Sequence, residues 1–191
     1  MTILQIMSAD ATTLLRTDEA ERIESALAPY GVHLEHWSAS RPLPETATQE
    51  QVLDAYREDV ERICKVGKYR LVDVVRIQSD DTDPEWQKKA DAARTKFLNE
   101  HTHDEDEVRF FVAGRGCFYL HLDDRVYAVI CEAGDLLSVP TGTRHWFDMG
   151  TRPEFCAIRF FEREDGWVGT FTGDPISSRI PHLDELLVPT T

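Results

Sequence analysis

The chain has 191 residues, 41% of them hydrophobic and 29% charged, with a formal net charge of -14 at pH 7. That length suits one well-buried domain with elaborations rather than two. The acidic balance argues against a nucleic-acid backbone or an anionic membrane surface as partner, because no basic cluster is gathered to neutralise phosphates.

Residues 1–10 lack a basic leader and a long apolar run, so no signal peptide is expected and the cytoplasm is the expected setting. No stretch approaches the roughly 20 apolar residues of a bilayer span. Residues 2–7 are expected to form a short strand. Asp18, Glu19, Ala20 and Glu21 open like a capped helix, with Ile23 and Leu27 four apart and Gly31 beyond its end. Residues 32–37 are strand-like, and Pro42 and Pro44 break the chain. Thr48 and Gln51 have capping-box spacing, and Val52, Tyr56, Val60 and Ile63 mark one helical face. Residues 69–78 alternate and are rich in Val and Ile, which predicts a longer strand. Asp83 and Pro84 place an N-cap and a first-turn proline before a helix running to about Leu98.

From residue 101 onward the pattern changes. Short runs at 108–112, 117–122, 126–131, 136–139 and 155–161 sit between Gly, Pro and Asp, as in an antiparallel sandwich or barrel. Asp123 and Asp124 form a plausible hairpin turn, and Gly114 and Gly116 bracket another. The last stretch, with Pro175, Pro181 and Pro189, reads as a loose tail. The expectation is one domain over 1–191, mainly β with helices. A barrel core spans about 70–165, a mixed helix and strand elaboration over 1–69 packs its helices outside, and a loose tail covers 175–191. Cys64, Cys117, Cys131 and Cys156 are scattered without a Cys-x-x-Cys pair, which excludes a disulfide framework and a thiolate zinc site.

Chemistry concentrates in two blocks. His101, His103, Glu107 and Arg109 share one parity, so a regular strand would point them to one side, with neighbours about 7 Å apart. A bulge would change that phase. His145 must come from another strand, delivered by a tight turn at Pro140 and Gly142. Imidazole suits iron, nickel, copper or zinc, and a mixed histidine and carboxylate set with free positions is the usual arrangement for non-haem iron that handles oxygen. A lone His-x-His is also compatible with a surface pair, and Asp104, Glu105 and Asp106 with a solvated acidic turn. The second block carries the metal reading.

The two blocks resemble the paired cupin motifs, as His101-x-His103-x3-Glu107-x6-Gly114 and Gly134-x5-Pro140-x-Gly142-x2-His145. Thr95 stands where the first motif usually opens with Gly, and Met149 where the second often ends with Asn; neither position is a metal ligand. The finer wording of residues 100–112 and 139–150 is similar to the acireductone dioxygenases of the methionine salvage pathway. The likeness extends over nearly the whole chain, including the Arg-Phe-Phe segment at 159–161. It implies a cupin-type jelly-roll barrel in which His101, His103, Glu107 and His145 bind one Fe2+ or Ni2+ per chain, with two positions left for water.

The substrate so implied is an acireductone, 1,2-dihydroxy-5-methylthiopent-1-en-3-one, with O2 as second reactant and a monomer as the acting form. Arg109 would be the fixed cation beside the substrate dianion, its guanidinium always charged and able to donate two parallel hydrogen bonds. Its plainer reading is a salt bridge to an adjacent acid. Glu100 and Asp106 match positions linked to metal incorporation and to transmitting conformational change, or are plain exposed acids. Phe97, Phe147 and Trp167 match pocket-lining aromatics, or are ordinary core. His121 reads as a structural histidine. In the family the iron form gives 2-oxo-4-methylthiobutanoate and formate, and the nickel form 3-methylthiopropanoate, carbon monoxide and formate. One ligand set serves both, so the sequence does not choose. A metal-dependent cupin isomerase or epimerase would use the same ligands without oxygen, and a non-catalytic binding cupin would survive loss of His145. Neither accounts for the wording around both motifs.

Overall fold

The computed structural model describes residues 1–37, 43–80, 82–164 and 168–188; Pro42, Trp167 and Pro189 lie outside them. Among the described residues, eleven antiparallel strands form the body. They are β1 Ile3–Ser8, β2 Thr13–Thr17, β3 His33–His36, β4 Leu71–Ile77, β5 His101–Thr102, β6 Glu107–Leu122, β7 Arg125–Glu132, β8 Asp135–Val139, β9 Arg144–Asp148, β10 Phe155–Phe161 and β11 Thr170–Phe171. Five helices accompany them: α1 Ala20–Leu27, α2 Gln49–Ala55, α3 Arg57–Val66, α4 Trp86–Phe97 and α5 Leu183–Leu186.

The long strand β6 joins two sheets. Its first half pairs with β8 and β10, and β4 and β3 extend that sheet on either side. Its second half pairs with β7 and β9, in a sheet ordered β11-β5-β9-β6-β7-β1-β2. Gly114 and Gly116 therefore do not bracket a turn. The chain runs on as one strand of 16 residues, and Gly114, at φ 69°, lets it bend from one sheet to the other. A Cβ there would collide with the Glu154 carbonyl oxygen, so only glycine lets β10 approach this closely. The hairpin at Asp123 and Asp124 forms as expected, with Asp123 left-handed at φ 55°.

Alternation along the strands sends Phe111, Phe118, Leu120, Val129, Leu137, Phe147 and Phe155 between the sheets, where they form the inner core. Each such side chain contributes roughly 1.5–3 kcal/mol relative to exposure. On the outer face of the β8/β6/β10/β4 sheet, Val52 and Tyr56 cover Val108, Phe110, Ile158 and Phe160. The Thr48 capping box is present, but the expected single helix breaks at Tyr56, whose φ of -109° and ψ of 20° are not helical. Tyr56 turns its ring onto Phe110, with centroids 5.0 Å apart, so packing decides where that helix ends. The Asp18 cap does not form either; Glu19 is the N-cap of α1 and its backbone N–H is held by the Thr17 hydroxyl. The α4 N-cap is Glu85, two residues past Asp83, whose carboxylate accepts from the Glu85 N–H.

Two expected boundaries need correction. Residues 1–69 are not merely an elaboration, because β1 pairs with β7 along six residues and β3 with β8 along four. Nor is the C-terminal stretch loose. Ile176, Ile180, Leu183 and Leu186 are buried against Met7, Tyr119 and Trp146 on the outer face of the second sheet. Its prolines interrupt regular structure without preventing apolar burial.

Candidate metal centre

The expected ligands do not share one regular strand. β5 is two residues long, residues 103–106 leave the sheet, and β6 begins at Glu107. The site closes because β5 lies beside β9, with His101 directly opposite His145. His103 returns through the loop, where its carbonyl accepts from the Gly142 N–H of the turn before β9. Asp106 fastens that loop by accepting from the Thr141 N–H at 2.8 Å. The two sequence blocks are thus tied backbone to backbone.

Each imidazole is oriented by a carbonyl. His101 Nδ1 is 2.7 Å from Asn99 O, His103 Nδ1 3.0 Å from Val168 O, and His145 Nδ1 2.8 Å from Thr143 O. Donation from Nδ1 fixes the neutral tautomer and leaves each Nε2 lone pair free to ligate. One ligating atom from each of the three rings falls within 4.8 Å of the others. Glu107 Oε2 lies 2.9 Å from His145 Nε2 and 3.4 Å from His103 Nε2. Three convergent imidazoles and a carboxylate fit a divalent, imidazole-preferring ion.

The electrostatics favour the neutral ligand form at His101, whereas the Glu107 carboxylate favours the charged form of His103, a charge that a bound cation would displace. Burial, helped by the neighbouring His145, pushes His101 down to about 4, so it is neutral at physiological pH. Burial opposes charge on His103, yet its contact with Glu107 holds it above the ordinary imidazole value. Burial would also raise Glu107, but Arg109 and the two imidazoles hold it well below the usual carboxylate range. The buried Arg109 donates from Nη2 to Glu107 Oε1 at 2.7 Å and lies over the rings of Phe147 and Phe118, 4.4 and 5.0 Å from their centroids. Its expected salt bridge and its expected place beside the metal cluster are therefore the same contact.

The ligands open onto a cavity of about 480 Å³ that Phe97, Phe147 and Arg109 help to line. Trp167 lies outside the described residues. Glu100 is not an exposed acid. Its carboxylate is buried and accepts from Thr172 Oγ1 at 2.6 Å, while the other oxygen meets His121 Nδ1 at 2.5 Å. His121 thus holds the residue next to His101 rather than entering the ligand set.

The sequence model of the ARD/ARD' family matches residues 6–169. The chain belongs to this family. It is 58% identical to acireductone dioxygenase 1 of Nocardia farcinica over 98% of this chain and 100% of the relative. It is 51% identical to an acireductone dioxygenase of Saccharopolyspora erythraea over 93% of both. Among solved structures, an acireductone dioxygenase from Bacillus anthracis with a cadmium ion in its active centre superimposes with a TM-score of 0.75. That pair is 27% identical, and the match covers 90% of this chain and 99% of that one.

In this member of the ARD/ARD' family the cavity also holds residues that sequence spacing did not single out. Arg159, directly across from Arg109 in the β6–β10 register, is fixed by Asp73 through Nε and Nη2 at 2.8 and 2.7 Å. Phe171 stands over His101 with centroids 5.9 Å apart. Buried Glu105, expected in a solvated turn, accepts from the Glu162 and Arg163 N–H groups. Each of these contacts joins distant strands or loops, so no local pattern announces it.

Proposed function

We propose that the protein is an acireductone dioxygenase of methionine salvage, using one Fe2+ or Ni2+ held by His101, His103, Glu107 and His145. The observation that carries this is the convergence of three carbonyl-oriented imidazoles and Glu107 on a cavity in which Arg109 supplies a buried fixed cation. When bound, the ion supplies chelation of the enediol oxygens and the redox contact that brings them to O2. The chain's own residues do the rest. Arg109 favours the doubly deprotonated substrate by facing its oxygens with a permanent positive charge. Phe147 and Phe97 give the methylthio tail an apolar wall; Trp167, expected in the same role from the family resemblance, lies outside the described residues. Glu100 and Asp106 position His101 and the metal-bearing loop. This reading has the chain acting as a cytoplasmic monomer on small molecules, and light scattering after size exclusion checks the monomer.

The test is anaerobic reconstitution with iron or nickel, followed by acireductone and O2. The iron form is expected to yield 2-oxo-4-methylthiobutanoate and formate; the nickel form should yield 3-methylthiopropanoate, carbon monoxide and formate. Absence of oxygen consumption with either metal at full occupancy would overturn the proposal.

A further inference from the structure

Three of the strands that line the metal-side cavity, β4, β6 and β10, line a second one at their opposite ends. β4 gives Leu71 and Asp73 to the first and Arg76 to the second, β6 gives Glu107 and Arg109 to the first and residues 112–115 to the second, and β10 gives Arg159 and Phe161 to the first and Phe155 and Cys156 to the second. The three positions from Asp73 to Arg76 separate them by roughly 10 Å along a strand. No lining residue is shared, and the second cavity has a volume of about 560 Å³.

Its chemistry is that of a binding site. Val112, Met149 and Phe155 are buried and give it an apolar floor. Above them lies Arg76, half-buried, whose hydrogen bond runs from Nη2 to Cys156 Sγ at 3.5 Å. A thiol is a weak acceptor for a guanidinium with five donor hydrogens. The half-buried Arg159 and the mostly buried Arg94 each have a bidentate carboxylate, whereas Arg76 has no acidic partner among the described residues. Arg115, at the exposed rim, also makes no ion pair among them. Three exposed acids, Glu45, Glu154 and Asp184, stand around the opening. Arg115 and the exposed Arg152 stand at the same rim, so the three acids do not dominate it; inside, Arg76 rejects a cation and the apolar floor rewards an apolar body over a bare, strongly hydrated ion such as phosphate.

We propose that this cavity is a second ligand site, which takes a small monocarboxylate with an apolar chain. The carboxylate meets Arg76, and the chain lies on Val112, Met149 and Phe155.

Hexanoate, titrated into the metal-loaded, 15N-labelled protein, is the probe. Saturable shifts are expected at the amides of Ala113, Gly114, Phe155 and Cys156. Arg76→Gln should weaken this binding about tenfold, the scale of one lost charge-assisted contact. Ala113→Phe, which leaves Arg76 in place and fills the cavity, should abolish it. Inorganic phosphate and hexylammonium should give no saturable shift at these amides. The proposal falls if hexanoate shifts only the amides around the metal ligands, if both variants bind as the wild type does, or if phosphate binds equally well.

Discussion

Arg109 answers two demands with one side chain. Buried, it neutralises Glu107 at 2.7 Å, and it keeps its plane against Phe147, a stacking contact of about 2 kcal/mol when desolvated. In the proposed reaction it also faces the substrate oxygens. Arg109→Gln removes the charge, while the imidazoles and Glu107 remain to hold the ion. Turnover followed by oxygen uptake is expected to drop about 10²–10³-fold in kcat/KM, the usual cost of one charge-stabilising donor. Elemental analysis should still show about one metal per chain. Arg109→Lys should recover only part of the rate, since an ammonium cannot make the paired, planar contact. Unchanged kcat/KM in Arg109→Gln would move dianion stabilisation elsewhere. That the convergence of Arg109 with His101, His103, Glu107 and His145 was legible before the fold was known follows from their local spacing within two short blocks. The Asp73–Arg159 pair escaped because its partners meet only when β4 lies against β10.

The element that best shows what sequence could not reveal is β9 with the tail docked behind it. At its end, buried Asp148 accepts two hydrogen bonds from Arg94 of α4, at 2.7 and 3.0 Å, and one each from the Gly150 and Leu183 N–H groups. One carboxylate thus joins the barrel, α4 and the start of α5. The prolines that suggested a loose tail say nothing about this anchor, which is made by a residue some thirty-five positions away. Likewise, a glycine that normally punctuates strands bends β6 instead, because β10 pairs with it as far as Gly114 and β7 takes over from Arg115, leaving no break in the ladder. Burial alone would raise the Asp148 carboxyl, but Arg94 and the two backbone donors bring it below the ordinary carboxylate value. A depressed folded-state value contributes stability that is complete above the unfolded value near pH 4 and is lost as pH falls below it. Asp148→Asn keeps one acceptor oxygen and turns an NH2 toward donors. It is expected to cost about 3 kcal/mol at pH 7 in chemical denaturation. That gap should narrow as the pH is lowered toward 3; a constant gap would show that Asp148 stabilises by packing alone.

Across the whole molecule, an ion at the proposed metal centre would fasten the least secured part of the sheet to the most secured. β6 and β7 share an eight-residue register, whereas β5 meets β9 through the single pair His101 and His145, and β11 meets β5 through two pairs. Two of the four ligands, His101 and His103, sit on or just after β5, and the other two, Glu107 and His145, on β6 and β9. An ion held by all four closes a cross-link between these layers that the backbone hydrogen bonds make only weakly. Because the set exists only in the folded chain, metal at a thousandfold excess over its Kd should stabilise the fold by about 4 kcal/mol. For a chain of this length that corresponds to roughly 10 °C in Tm. Chelator treatment followed by nickel should lower and then restore Tm, and His145→Ala should leave the protein folded but insensitive to both. Hydrogen exchange should locate the local part of the effect: protection gained at residues 101–103 and 170–171, where opening now requires release of the ion, while β6 and β7 amides that open only with the whole fold gain the same global increment that raises Tm. No gain in protection at residues 101–103, or a Tm indifferent to the ion, would mean that the ligands are held in place by the barrel and add nothing to it.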